Sequence, residues 1–331
     1  MRSSISFVSL FFVFVLGCVG EHAKGDDAGS GSQESPVEPD WLATPYVSRI
    51  AVDASHVYFV AGGGAELSRS PIAGGAAEAL YTVPSDGTSF DMIDALVVGA
   101  NDIVFVVDGY DTDTQAQTRT LYALAKAGGS PRMLASSQDS RAYLGVTIDG
   151  DYVYFTSFTS LVRVPLAGGT SQFVGESPES VQYWAFSPTV VGDKIVWAES
   201  QSLFAIAKGS SSREGMRLAY VPGSGKIIGS DAVLVVALSS QIDFLGLASK
   251  FIEVDPTTGL LGPVVDVGTT FDDAAVTADA VWAATSTGLV RVPRAGGAPE
   301  QVTTVRSLSI AAGSEAVFVG TEDGITRVKL Q

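Results

Sequence analysis

Leu161-Val162-Arg163-Val164-Pro165-Leu166-Ala167-Gly168-Gly169 returns as Leu289-Val290-Arg291-Val292-Pro293-Arg294-Ala295-Gly296-Gly297, with looser copies from Leu67 to Gly75 and from Leu121 to Gly129. Aliphatic and β-branched residues favour a strand, and the proline falls near its end, where a missing N–H is tolerated. The Gly-Gly supplies the positive φ that a tight hairpin needs. Upstream lies another strand of β-branched and aromatic residues. The first residues of the two strands are eight apart at Val153 and Leu161, Ile195 and Leu203, Val281 and Leu289, and Val317 and Ile325. That aromatic strand recurs at Val57-Tyr58-Phe59, Ile103-Val104-Phe105, Val153-Tyr154-Phe155, Ile195-Val196-Trp197, Val233-Leu234-Val235, Val281-Trp282 and Val317-Phe318. Turns bearing Asp53, Asp149, Asp151, Asp193, Asp231, Asp279 or Glu315 precede most copies, and an apolar strand such as Ile50-Ala51-Val52 precedes the turn. A fourth strand follows the glycine pair, as at Glu78-Ala79-Leu80-Tyr81 and Arg132-Met133-Leu134.

Four short antiparallel strands repeating about every 43 residues predict an all-β chain: a seven-bladed β-propeller of four-stranded blades. The ends predict how it closes. The last repeat stops after its third strand at Gln331, while Pro39-Asp40-Trp41-Leu42-Ala43-Thr44 precedes Val57 by the interval at which Pro299–Thr304 precedes Val317. An N-terminal strand completing the last blade would remove two open sheet edges.

Arg2 followed by the apolar run Ile5–Leu16 has the layout of an export signal and is too short to span a bilayer. Val15-Leu16-Gly17-Cys18 resembles the lipobox of bacterial lipoproteins, which implies lipidation at Cys18, the only cysteine. The domains expected are a signal peptide over 1–17, a flexible Gly/Ser- and acid-rich tether over 18–38, and the propeller over 39–331. A tether of this length reaches roughly 25 Å. No disulfide can staple the fold. The repeats resemble those of YWTD- and NHL-type propellers, common in bacterial envelope lipoproteins. The resemblance implies export to the periplasm or cell surface, and the absence of Asp after Cys18, by analogy with enterobacterial lipoprotein sorting, implies anchoring in the outer membrane.

A net charge of −16 argues against nucleic acid and against docking of the body on anionic lipid. Membrane contact is expected through the lipid alone, and the chain is expected to be a monomer. His22 and His56 are the only histidines and Asn101 the only asparagine, which removes histidine metal sites, Ser-His-Asp triads and the calcium cluster of lactonase-type propellers. No cofactor and no metal are expected.

Two connections between second and third strands, Ile103 to Leu121 and Val233 to Phe251, span 18 residues instead of eight. Three blades apart, they would face each other across the funnel. The first clusters Asp108, Tyr110, Asp111 and Asp113, read as a solvated acidic loop without EF-hand spacing. The second carries Ile242, Asp243 and Phe244, either an extra hairpin on the rim or a partner-binding patch. Three inter-blade loops hold Phe90 and Asp91, Tyr183 and Trp184, and Phe271, Asp272 and Asp273. These either cradle a cationic or sugar-like ligand or plug the channel. A protein- or ligand-binding module is therefore expected, the partner being an unknown envelope protein or small ligand. The competing expectation is a carboxylate-dependent enzyme, glycoside hydrolase- or lyase-like, acting at the funnel.

Overall fold

The computed structural model describes residues 37–85, 89–138, 142–157, 160–178, 185–230, 233–239 and 248–330. One four-stranded antiparallel sheet contains β2 (Arg49–Val52), β3 (His56–Ala61), β4 (Glu66–Pro71) and β5 (Glu78–Thr82). The next contains β6 (Ser89–Val98), β7 (Asp102–Asp111), β8 (Gln117–Ala125) and β9 (Arg132–Ser137). A third holds β10 (Ala142–Asp149), β11 (Tyr152–Ser157), β12 (Ser160–Pro165) and β13 (Gln172–Glu176), and a fourth β14 (Ala185–Val191), β15 (Lys194–Glu199), β16 (Ser202–Ala207) and β17 (Met216–Tyr220). A seven-stranded sheet runs through β18 (Ser224–Ser230), β19 (Leu234–Ser239), β20 (Ala248–Val254), β21 (Leu261–Val276), β22 (Ala280–Thr285), β23 (Gly288–Pro293) and β24 (Glu300–Thr303). In the last sheet β25 (Ser309–Ala312), β26 (Ala316–Gly320) and β27 (Gly324–Lys329) take β1 (Val37–Ala43) as fourth strand.

The second strands are near-continuous apolar runs because both their faces are covered by neighbouring sheets. Phe59, Phe105, Trp197 and Phe318 are fully buried. Removing each such ring from water contributes roughly 1.5–3 kcal/mol. Among the described residues the core falls into seven apolar clusters: six are shared by sequence-adjacent sets of strands, for example Tyr58 with Phe105 and Tyr154 with Trp197, and the seventh joins the first sheet to the last through Phe59 and Phe318. Innermost strands touch in a circuit: β2 on β6, β6 on β10, β10 on β14, β14 on β18, β18 on β21, β21 on β25, and β25 on β2.

The repeated arginine has a register reason. Tyr58 lies opposite Arg69, Tyr154 opposite Arg163, Trp282 opposite Arg291 and Phe318 opposite Arg327. The guanidiniums of Arg291 and Arg327 sit 5.7 and 6.0 Å from the facing ring centroids, covering outward ring faces with a cation–π contact. In the Gly-Gly turn the Gly168 N–H donates to the Pro165 carbonyl at 2.9 Å, with φ of 90° and 134° at Gly168 and Gly169.

β1 pairs antiparallel with β27, placing Val37 opposite Val328 and Leu42 opposite Ile325. Trp41 meets Phe318 edge-on at 5.1 Å. Val37 and Glu38, expected in the tether, belong to this strand. The seven-stranded sheet was not expected. β21 is both a fourth strand, pairing Val264 with Ile252, and a first strand, pairing Val276 with Val281. Gly268, at φ 79° and bonded to the Asp266 carboxylate at 2.8 Å, lets the chain bend between the two roles.

Candidate functional site

The innermost strands line a central cavity of about 720 Å³. Its walls are mostly small or aliphatic, including Ala95, Val97, Gly145, Ile228 and Gly229, and its charged residues are Arg49, Asp94, Asp272 and Asp273. Asp94 is the hub. Arg49 donates to its carboxylate at 2.9 Å and to its backbone carbonyl at 2.5 Å, and Arg119 donates to its other carboxylate oxygen at 2.5 Å. Arg119, on β8, is 4% exposed and also lies 3.6 Å from Asp108. Burial alone would raise the Asp94 carboxyl, but the Arg49 and Arg119 guanidiniums outweigh it and hold it below the usual carboxylate range. A general acid needs the opposite shift. Asp273 accepts the Ile310 N–H at 3.1 Å, tying β21 to β25, and Asp272 is exposed.

Beside Asp94 the second sheet is elongated. β6 and β7 have ten residues each, against four in β2 and six in β3. Phe90 lies opposite Tyr110 and Met92 opposite Asp108. Alternation puts these four on one face of the sheet. Phe90 is 70%, Met92 47% and Tyr110 42% exposed. The hairpin tip is closed by the Asp111 carboxylate, which accepts the N–H groups of Asp113 and Thr114 at 2.9 and 2.8 Å. Asp108 accepts the Gln117 amide at 3.0 Å. These acids therefore serve the hairpin, and no group of three or more metal-ligating side chains occurs among the described residues.

Next to this elongated sheet, the β3–β4 connection is Gly62-Gly63-Gly64, with φ of 62°, 71° and 102°. A Cβ on Gly64 would come within 2.7 Å of the Met92 Cβ, whereas Cβ atoms on Gly62 and Gly63 would meet nothing within 4 Å. The Gly62 N–H donates to the Pro45 carbonyl at 3.1 Å. Tyr46 follows in the left-handed region at φ 48°, 45% exposed, at the cavity edge. A bulky residue holds that backbone only where surrounding contacts impose it. Its N–H is bonded to the Glu322 carbonyl at 2.8 Å.

Several expectations are corrected. Phe90–Asp94 and Phe271–Asp273 are not loops: they lie in β6 and β21, because these first strands run on past their neighbours. Phe271 is 3% exposed, packed with Val235, Phe251 and Val281, so it faces core and not ligand. Asp91 points to the opposite face from Phe90, its Oδ1 2.7 Å from where a Gly109 Cβ would stand. The segment carrying Asp108, Tyr110, Asp111 and Asp113 is mostly strand, not a loop. Cys18, Tyr183, Trp184, Ile242, Asp243 and Phe244 lie outside the described residues. Tyr46, Arg49, the glycine run and Arg119 were missed. Their signals were a triple glycine where a hairpin needs two, and an arginine sharing the inward register of Leu121 and Ala123.

At the other end of the strands, Asp53 holds its turn, accepting the Ser55 and His56 N–H groups at 2.7 and 2.8 Å and bonding Lys126 at 2.5 Å. His56 meets Ser55 at 2.8 Å, but Asp53 binds the serine hydroxyl and not the imidazole. The order needed for a nucleophile relay is therefore not met.

No protein-family model and no curated protein matches the sequence. Solved structures do. The structure described as YCF48 bound to D1 peptide superposes with a TM-score of 0.60 at 15% identity, over 90% of this chain and 98% of that one. The chain has a β-propeller fold. Saccharomyces cerevisiae Sqt1 gives a TM-score of 0.58 at 11% identity over 87% of this propeller and 97% of its own chain. The Neurospora crassa Pan2 WD40 domain gives 0.56 at 9% identity over 87% and 90%. Identities this low carry architecture alone.

Proposed function

We propose that the chain is an exported, lipid-anchored, seven-bladed propeller, sealed by β1 on β27, that binds a protein or ligand at the rim where Tyr46, Phe90, Met92 and Tyr110 stand. Seven shared core clusters, the circuit of innermost strands and the double role of β21 support the blade number. The lipobox-like Val15-Leu16-Gly17-Cys18 supports the anchor, and outer-membrane placement rests on the absence of Asp after Cys18.

The observation that carries the binding role is the exposed ridge of Phe90, Met92 and Tyr110, built on paired strands and therefore held rigidly. Solvated apolar side chains in a fixed row favour a partner. One similar propeller, YCF48, was solved with a peptide bound. Asp94, held ionised, does not supply the general acid that the hydrolase reading needs. A photo-crosslinking amino acid at position 110 of the full chain, expressed in its own envelope, should give a discrete adduct, and one at position 55 on the opposite rim should not. Equal labelling from both positions, or none from 110, contradicts the proposal. Cys18→Ser should abolish incorporation of labelled palmitate; retained label contradicts the anchor.

A further inference from the structure

The innermost strands are irregular in a repeated way. Pairing with the second strand slips between Ile93 and Ala95, Ala142 and Val146, Phe186 and Thr189, Ile227 and Gly229, and Phe271 and Asp273. β2 and β25 pair without a slip. A bulge leaves an extra residue unpaired and re-aims its side chain, and such devices gather beside functional sites. Here every slip serves one place. Asp94, Gly145, Pro188, Ile228 and Asp272 all line the central cavity of about 720 Å³, a size within the range of small-molecule sites.

The cavity has a neutral side and a charged side. β10, β14 and β18 give it Val146, Pro188, Ile227 and Ile228, with Thr147 and Thr189, and no ionisable group. Its charges lie on β2, β6 and β21. Arg49 and Asp94 cancel. The guanidinium donates its Nε to the Asp94 carbonyl, one terminal nitrogen to the Ser48 carbonyl and the other to the Asp94 carboxylate. One Asp273 oxygen accepts the Ile310 N–H. Asp272, the extra residue of its bulge, makes no hydrogen bond or ion pair among the described residues. What remains is negative charge on β21 beside apolar walls, which concentrate its field.

We propose that the central cavity binds a small organic amine, its ammonium paired with the Asp272 carboxylate and its apolar body lying along Pro188 and Ile228. A metal ion would use the charge but not the walls, and the described residues hold no group of three ligating side chains. A carboxylate ligand would meet its own sign of charge, because the nearby cations, Arg49 and Arg119, are both held by Asp94. The site is separate from the ridge of Phe90, Met92 and Tyr110, which does not line the cavity, and it stands or falls independently of partner binding there.

The test is ligand-observed NMR on the purified full chain with hexylammonium, hexanol and hexanoate, which share a tail and differ in head group. Hexylammonium should bind saturably and at least tenfold more tightly than hexanol, and hexanoate should not bind saturably. Asp272→Asn, at an exposed position and expected to leave the melting curve unchanged, should weaken hexylammonium at least tenfold and bring it level with hexanol. Asp272→Lys should reverse the preference in favour of hexanoate. Three results overturn the inference: no saturable binding of hexylammonium, hexanoate binding equally well to the unmodified chain, or an affinity for hexylammonium that Asp272→Asn leaves unchanged.

Discussion

Charge is handled differently at the two ends of the strands. At one end, carboxylates in the turns between first and second strands reach cations of the following sheet near solvent: Asp53 meets Lys126 at 2.5 Å and Asp149 meets Lys208 at 2.8 Å. At the other, Asp94 sits between Arg49 and the buried Arg119 beneath the exposed ridge. The first kind of pair fastens turns and is replaceable. The second fixes the elongated sheet to its neighbour through the buried Arg119, and removing that arginine leaves a partly buried Asp94 with Arg49 as its remaining cation.

Arg119→Ala should therefore have the largest effect, costing about 3 kcal/mol in denaturant unfolding. It should also move the acid transition to higher pH. The Asp94 carboxyl is lower in the folded than in the unfolded chain, so its stabilisation exists above the ordinary carboxylate value and is lost as pH falls. Without Arg119 that loss begins sooner. A cost under about 1 kcal/mol, typical of an exposed pair, would erase the contrast between the two ends.

Alkaline unfolding sharpens the same contrast with one tyrosine from each end. Burial pushes Tyr143, near the start of β10, up to about 12, and burial together with the Asp53 charge does the same to Tyr58. Both values are raised, so the unfolded chain ionises first and stability declines from about pH 10 upward. Tyr143→Phe should flatten that decline by about 1 kcal/mol at pH 11 and leave the acid limb untouched. A decline identical to the parent's would contradict the assignment.

Lys208→Ala should be the mildest, within about 1 kcal/mol, because its pair with Asp149 is partly solvated. A larger loss would mean that the turns carry as much as the Asp94 cluster.

The repeat was legible because sandwiched second strands must be apolar on both faces and the turns must carry Gly-Gly, so physics writes the same residues at each copy. The pairing of β1 with β27 followed from matched intervals before Val57 and Val317. The doubled role of β21 was hidden, since Gly262, Pro263, Gly268, Asp272 and Asp273 read as turn chemistry within a 16-residue strand. In the candidate site, length betrayed the insertion at Asp108–Asp113, but its form as strand was obscured by Asp and Gly, which are depleted from strands. Arg119 was overlooked although its inward register demanded a carboxylate. Tyr46 left no mark in the sequence, because a left-handed tyrosine is imposed by tertiary contacts.

Hydrogen exchange over residues 37–43 tests ring closure most directly. If β1 seals the last blade, these amides exchange slowly, in step with those of β27. They are released by Gly324→Val, whose side chain would strike the Leu42 carbonyl. Amides in 37–43 that exchange as fast as free peptide in the unmodified chain would mean that the ring is open there.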